Sequence, residues 1–379
     1  ISFSTITQRN RDDNQLMTLS HRFKDLVGWD TQQQDNSKMG SILDSKVSKK
    51  TVVAIGTMKA GKTTHYAGLG AVAQYKASDT SRSDSRFRAI INEGSGNILD
   101  DIAELRCGHF PEATRVVAGN TIKPGFTFEW EEPTFFGSKW LTTRRQANMP
   151  MIDFAGEQLV QLISKVRNAK TLEQAMTVQG SDQLTVTVNQ ASALLPIINA
   201  ERAEGLPIYK PEPYEKITGL SKHPDVNIQR ILEPMVRFKH DNKGYTPPLE
   251  RVFVVVTACD VLFSIAQLIS NFTGRPFDPL NPELSNDSLD SFMKAFFPGT
   301  HSLIHSLNVK VQYFPSFFEL EKDAQGNTVY WDTEKTEPKI KRGNIFDSPD
   351  WEHNVNRPKF SEYWFNREIE ALKEFATVV

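Results

Sequence analysis

The chain has 379 residues, of which 39% are hydrophobic and 24% charged, with a formal net charge of −2. That length holds one large α/β domain with insertions or two smaller domains, and the near-neutral charge excludes the broad basic field of most non-specific nucleic-acid binders. The only two cysteines, Cys107 and Cys259, have neither disulfide-framework nor C-x-x-C spacing, and no apolar run approaches the roughly 20 residues of a membrane span, so the expectation is a soluble, cytoplasmic protein.

Residues 1–49 are polar and read as an N-terminal extension, with one amphipathic helix around Asn14–Trp29 carrying Leu16, Leu19, Phe23 and Leu26. From Thr51 to Ile55 a β-branched run marks a strand, followed at once by a glycine turn and a helix through Gln74. A Ser/Asp/Arg-rich stretch makes 77–96 an expected insertion, with a helix over Asn97–Cys107 after it. A loop through Pro111 and Thr114 then leads to three strands, Phe126–Trp130, Lys139–Thr143 and Met149–Phe154. Residues 158–178 read as helix and Gln183–Val188 as strand, and 203–226, rich in Pro, Lys and Glu, as a second insertion.

Further elements are a helix over Ile228–His240, a buried strand over Arg251–Thr257, a helix after Asp260, another over Ser288–Phe297, and a last strand over Val309–Phe314. The main domain spans 50–320, and 321–379 is a polar loop with a closing helix from Lys359 to Thr377. Strands alternating with helices predict an α/β fold of three layers, a mostly parallel sheet with helices on both faces.

Gly56-Thr57-Met58-Lys59-Ala60-Gly61-Lys62-Thr63 fits G-x-x-x-x-G-K-[ST] between a strand and a helix, the setting that such a phosphate-binding loop requires. The glycines let successive N–H groups turn toward phosphate oxygens, with the helix N-terminus adding a favourable dipole. Lys62, at the loop's surface, is expected to reach the β- and γ-phosphates, and Thr63 to offer its hydroxyl to Mg²⁺. Lys59, Ala60 and Thr64 complete the candidate cradle.

About ninety residues on, Asp153-Phe-Ala-Gly156-Glu157 closes a strand and resembles the D-x-x-G box of GTPases. There the carboxylate holds Mg²⁺ and the glycine N–H meets the γ-phosphate. Thr257-Ala258-Cys259-Asp260 occupies the place of [NT]-K-x-D, with Asp260 accepting from guanine's N–H donors and Ala258 replacing the usual lysine. Together these boxes resemble the TRAFAC class of P-loop GTPases, in particular divergent bacterial and archaeal members with a G-x-x-x-[AS]-G-K-T-T loop and a D-x-A-G-E box.

The resemblance implies a P-loop NTPase fold over residues 50–320, GTP or GDP in preference to ATP, and Mg²⁺. It implies a first switch threonine, Thr114 in preference to Thr121, and a base-contacting loop at Phe314-Pro315-Ser316. Glu157, Gly156 and Thr114 are the expected catalytic group. A carboxylate at Glu157 orients water yet repels the γ-phosphate, so slow turnover is expected. Gln158, or an arginine from Arg144-Arg145 or from a partner, is a further candidate. The reading is a GTP-hydrolysing switch for a protein effector; an ATP-driven motor using Asp153 and Glu157, favoured less because Met149-Pro-Met-Ile152 is short and contains proline, and a nucleotide-stabilised scaffold are the alternatives.

Overall fold

Val52, Val53, Ala54 and Ile55 are all at most 1% exposed, so the β-branched run is covered on both faces, as a strand inside a parallel sheet must be. It belongs to strand β1 (Ser48–Gly56) of a computed structural model that describes residues 48–57, 59–78, 87–92, 98–111, 122–136, 139–152, 190–210, 221, 223–241, 247–332, 334–341 and 361–377. The expected N-terminal helix, the helix 158–178 and the strand Gln183–Val188 lie outside these residues.

The other strands are β2 (Arg88–Ile91), β3 (Ile122–Phe136), β4 (Lys139–Ile152), β5 (Ala193–Asn199), β6 (Arg251–Thr257) and β7 (Lys310–Pro315). They form one sheet in the order β2-β3-β4-β1-β5-β6-β7. From β4 to β7 the neighbours are parallel, while β2, β3 and β4 pair antiparallel at one edge. The helices are α1 (Lys62–Ser78), α2 (Ile98–Cys107), α3 (Pro224–Asp241), α4 (Ala266–Thr273), α5 (Ser285–Phe296), α6 (Pro298–His305) and α7 (Ser361–Thr377).

Successive strand residues point to opposite faces, and the core divides accordingly. Val53, Ile55, Leu194, Val254 and Val256 pack with Ile231 and Leu232 of α3 and Leu289 and Phe292 of α5. Val52, Ala54, Leu195, Phe253 and Val255 pack with Tyr66 and Leu69 of α1, Ile102 of α2, and Phe365 and Leu372 of α7. The expected α/β fold of three layers, mostly parallel with helices on both faces, is what the chain adopts.

Three elements differ from the sequence-based expectation. Ala193–Asn199 is a central strand, paired to β1 on one side and β6 on the other, although it contains Pro196. Proline has no N–H for a ladder, and the β5–β6 register skips from Leu194↔Val252 to Ile197↔Val255 around it. The two strands expected at 139–143 and 149–154 are one, and Met149–Ile152 is the end of a 14-residue strand, not a short one. The expected insertion 77–96 contains β2, paired to β3.

The polar stretch after β7 is also folded. Bridges Leu320↔Ile340, Lys322↔Thr328 and Tyr330↔Pro338 make it an antiparallel flap. It docks on the end of α2: Ile340 N and Trp331 Nε1 both donate to Gly108 O, at 2.9 and 3.2 Å. The Trp331 ring stacks on His109 with centroids 3.5 Å apart.

Helix α1 presses into this frame through Gly68, where a Cβ would stand 2.6 Å from Phe365 Cζ and 2.9 Å from Phe318 Cζ. In an exposed helix, Gly→Ala stabilises by about 1 kcal/mol. Here the sign reverses: Gly68→Ala is expected to destabilise by about 1–3 kcal/mol through overpacking of two buried rings, read as a lower urea midpoint at unchanged m-value. A midpoint at or above wild type removes this contact from the core's constraints.

Candidate functional site

Strand β1 delivers Gly56 to the start of the loop, and α1 begins at Lys62, so the first-turn N–H groups, which have no carbonyl within the helix to bond, face the loop's side of the sheet. The turn between them is set by positive φ at Lys59 (54°) and Gly61 (80°). A side chain at Gly61 would be strained by its φ and by a Cβ standing 3.2 Å from the Thr257 side chain. Lys59 is exposed, and its carbonyl accepts from Asn199 Nδ2 at 3.1 Å.

Lys62, expected at the loop's surface, is only 5% exposed. Its ammonium folds back over the loop and donates to Gly56 O at 3.0 Å and Thr57 O at 2.8 Å. Ala60 is buried, and Thr63 and Thr64 are half-buried in the first turn of α1. Thr257, at the end of β6, is buried with its hydroxyl donating to Ala60 O at 2.6 Å, so its side chain secures the loop.

Beside the loop lies a cavity of about 230 Å³, walled by Gly61, Thr64 and His65 on one side and by Asn199, Thr257, Ala258 and Asp260 on the other. Phe317, Phe318 and Leu320 close it, and a larger opening of about 570 Å³ shares Asp260 and these three residues and adds Phe263 and Lys322. Aromatic walls with a few convergent polar groups are the usual lining of a small-molecule site. Burial pushes the Asp260 carboxyl up to about 6, aided by Glu201 and opposed by Lys210 and Lys322. The position of the usual lysine, Ala258, holds a left-handed backbone (φ 52°).

Ser316, expected at the base, is 3% exposed and lines this cavity, but its hydroxyl is 3.0 Å from His65 Nδ1. His65 Nε2 is in turn 3.2 Å from Glu368 Oε1 of α7. The backbone of Ser316 ties the loops after β6 and β7, donating to Val256 O at 2.7 Å and accepting from Cys259 N at 3.2 Å.

No protein-family model matches the chain, and no curated protein matches it. Among solved structures it is similar to the signal recognition particle receptor SRb-GTP/SRX complex from Chaetomium thermophilum, at 12% identity and a TM-score of 0.26, over 70% of this chain and 93% of that one. It is similar also to the S. cerevisiae Ski7 GTPase-like domain bound to GTP, at 11% identity and a TM-score of 0.25, and to the same domain bound to GDP and inorganic phosphate, at 11% and 0.24. Each likeness covers 75% of this chain, which spans about half of those chains, 46% and 47%. Scores this low say nothing of what this chain binds.

Asp153, Gly156, Glu157, Gln158, Thr114 and Thr121 lie outside the described residues. Arg144 and Arg145 do not reach the phosphate loop. Arg145 pairs with Ser48, at the far end of β1 from Gly56, about 26 Å away at 3.3 Å per strand residue. There Arg144 bonds Glu129 and Arg145 lies 3.5 Å from Glu132, so both are cross-strand ion pairs.

Sequence reasoning missed His65, Glu368, Asn199 and the flap residues. Nothing local marks Glu368, 303 residues from its partner His65. Among the described residues no helix is long and apolar enough to cross a membrane. Glu368→Ala leaves a buried imidazole N–H without its acceptor, an expected loss of about 1–3 kcal/mol, measured by urea unfolding. Stability within about 0.5 kcal/mol of wild type, the range of neutral surface changes, removes this contact from the forces seating α7 on α1.

Proposed function

We propose that this chain binds a guanine nucleoside triphosphate with Mg²⁺ on the loop Gly56–Thr64 and acts as a slow GTPase switch read by a protein effector. One observation carries the reading: a curled loop and a helix start whose Gly61 and Thr64 line a cavity together with a half-buried carboxylate, Asp260.

The residues present suit the ligand. Lys62 rests on two backbone carbonyls, and phosphate oxygens offer its ammonium stronger, charge-assisted hydrogen bonds than neutral carbonyls do. Phe317 and Phe318 give apolar walls for a base, and Asp260 lines the same cavity. An ionised carboxylate only accepts hydrogen bonds, which matches the two N–H donors on guanine's edge; adenine has no N1–H. Mg²⁺ would be held by the Thr63 hydroxyl and Asp153 and would neutralise phosphate charge.

Strand β4 lies directly beside β1, with Met151 paired to Ala54 two residues before Gly56. That adjacency supports Asp153, the residue after β4, as the metal-holding acid, with Gly156 as the γ-phosphate sensor and Glu157 as the slow water-orienting group. Thr114 is proposed as the switch threonine, following the segment Gly108–Phe110 on which the flap docks. Hydrolysis of the γ-phosphate would then release that threonine and Gly156 together.

Lys62→Met keeps the aliphatic stem and removes the charge, so triphosphate affinity is expected to fall at least about a hundredfold, two lost charge-assisted bonds of about 1.5–3 kcal/mol each. Isothermal titration with GTP and Mg²⁺ checks it, and wild-type affinity in the folded variant sinks the phosphate-loop reading.

Asp260 tests the base. Its raised pKa means that the fold grips this proton more tightly than the unfolded chain does, so its contribution to stability is full below about 4 and lost as pH rises through about 6. The carboxylate is the form that accepts from guanine. GTP affinity is therefore expected to be flat above about 7 and to fall toward tenfold per unit below about 6. Asp260→Asn should abolish that pH dependence, weaken GTP by about 1–3 kcal/mol and favour XTP, whose carbonyl replaces the guanine amine. Titrations with GTP, XTP and ATP between pH 5 and 8 decide, and a wild-type preference for ATP overturns the guanine assignment.

A further inference from the structure

Away from the nucleotide cavity, α5 and α6 meet at a sharp corner around Phe297 and Pro298. His301 and His305 stand four residues apart on α6, so both imidazoles leave the same side of the helix, with ring centroids 4.2 Å apart. Asp290 of α5 faces them. His301 Nε2 lies 3.0 Å and His305 Nε2 3.2 Å from one carboxylate oxygen, Asp290 Oδ1. One ligand atom from each of the three residues lies within 4.8 Å of the other two.

We propose that Asp290, His301 and His305 form a binding site for one divalent transition-metal ion of zinc's chemical class. A tetrahedral ion with bonds of about 2.0–2.1 Å holds its ligand atoms about 3.3 Å apart. The two N···O separations, 3.0 and 3.2 Å, are within a few tenths of an ångström of that edge, and the third lies within 4.8 Å. Two imidazoles and one carboxylate select zinc, cobalt or nickel over Mg²⁺ and Ca²⁺, which prefer all-oxygen shells.

The surroundings suit a coordination site. The Tyr313 hydroxyl lies 3.1 Å from His305 Nε2 and also bonds Asp290, so β7 braces two of the three ligands. The start of α6 is fixed from outside: Asp225 accepts from Gly299 N and Thr300 N, both at 2.8 Å. Ligands on braced helices lose little freedom on binding. Side-chain exposures of 16%, 31% and 44% for His301, Asp290 and His305 leave the ion a route in.

A pair of histidines bonded to one aspartate without metal has the same static geometry, and titration separates the two. The full chain, stripped with EDTA, is titrated with Co²⁺ and then Zn²⁺. The expected result is one equivalent of Co²⁺ with the intense visible absorption of a tetrahedral N/O site, displaced by Zn²⁺, and a melting temperature raised by Zn²⁺ but not by Mg²⁺. His305→Gln, the most exposed of the three, should keep the EDTA melting temperature and lose Zn²⁺ affinity at least about tenfold, the lower bound seen even for residues outside the ligand set. Asp290→Asn should lose it likewise. Absence of tetrahedral Co²⁺ absorption in the wild type, or wild-type Zn²⁺ affinity in His305→Gln, overturns the site.

Discussion

Thr257 ends β6 with its hydroxyl 2.6 Å from the carbonyl of Ala60, and a Cβ on Gly61 would stand 3.2 Å from the same side chain. This contact joins the two halves of the candidate site. The loop after β1 is tethered also by Asn199 Nδ2 to Lys59 O, and the loop carrying Asp260 by Cys259 N to Ser316 O, but Thr257 is bonded to the one and continuous with the other. With the hydroxyl in place, the loop after β1 is held at a fixed distance from the end of β6 that leads to Asp260. Removing the methyl or the hydroxyl of Thr257 would act on both ends at once.

A second tether runs through buried polar groups on the other side. Ser316 closes the loop after β7 against β6 through its backbone, and its hydroxyl passes the constraint to His65 in the first turn of α1 and on to Glu368 in α7. Groups with so little access to water are costly when unpaired and strongly orienting when satisfied. The closing helix, far along the chain, is therefore tied to the first turn of α1, which follows the loop Gly56–Gly61.

How much of this could be read from sequence depends on whether the determining contacts are local. The strand, turn and helix over 48–78 were legible because a β-branched run, two turn glycines and a helix start follow one another directly, and β6 was legible because burial on both faces leaves an unbroken run of Val and Phe. Strand β5 was not, because Pro196 speaks against a central strand and the compensation is a gap in the β6 ladder, a property of the partner strand. The β3–β4 hairpin was read in fragments because its long edge arm carries the polar and charged residues, among them Glu129, Glu132, Arg144 and Arg145, whose cross-strand pairing replaces apolar periodicity. Likewise the flap is polar in composition, and its order comes from isolated bridges and from the docking of Trp331 on Gly108 and His109.

That flap links regions of the site that the chain itself keeps far apart. Leu320 and Pro338 border the cavity, Leu320 is bridged to Ile340, and the Ile340 amide is bonded to Gly108, at the end of α2. Phe110 meets Phe318 edge to face with centroids 5.9 Å apart, so the cavity wall touches the 108–111 segment directly as well. The ring of Trp331 is held on one side by His109 and on another by the Lys339 ammonium, 4.6 Å from its centroid. Phe318 and Leu320 thus line the cavity and also contact the 108–111 segment, the first directly through Phe110 and the second through the bridge to Ile340. The same few residues therefore form both the wall of the cavity and the anchor of the 108–111 segment.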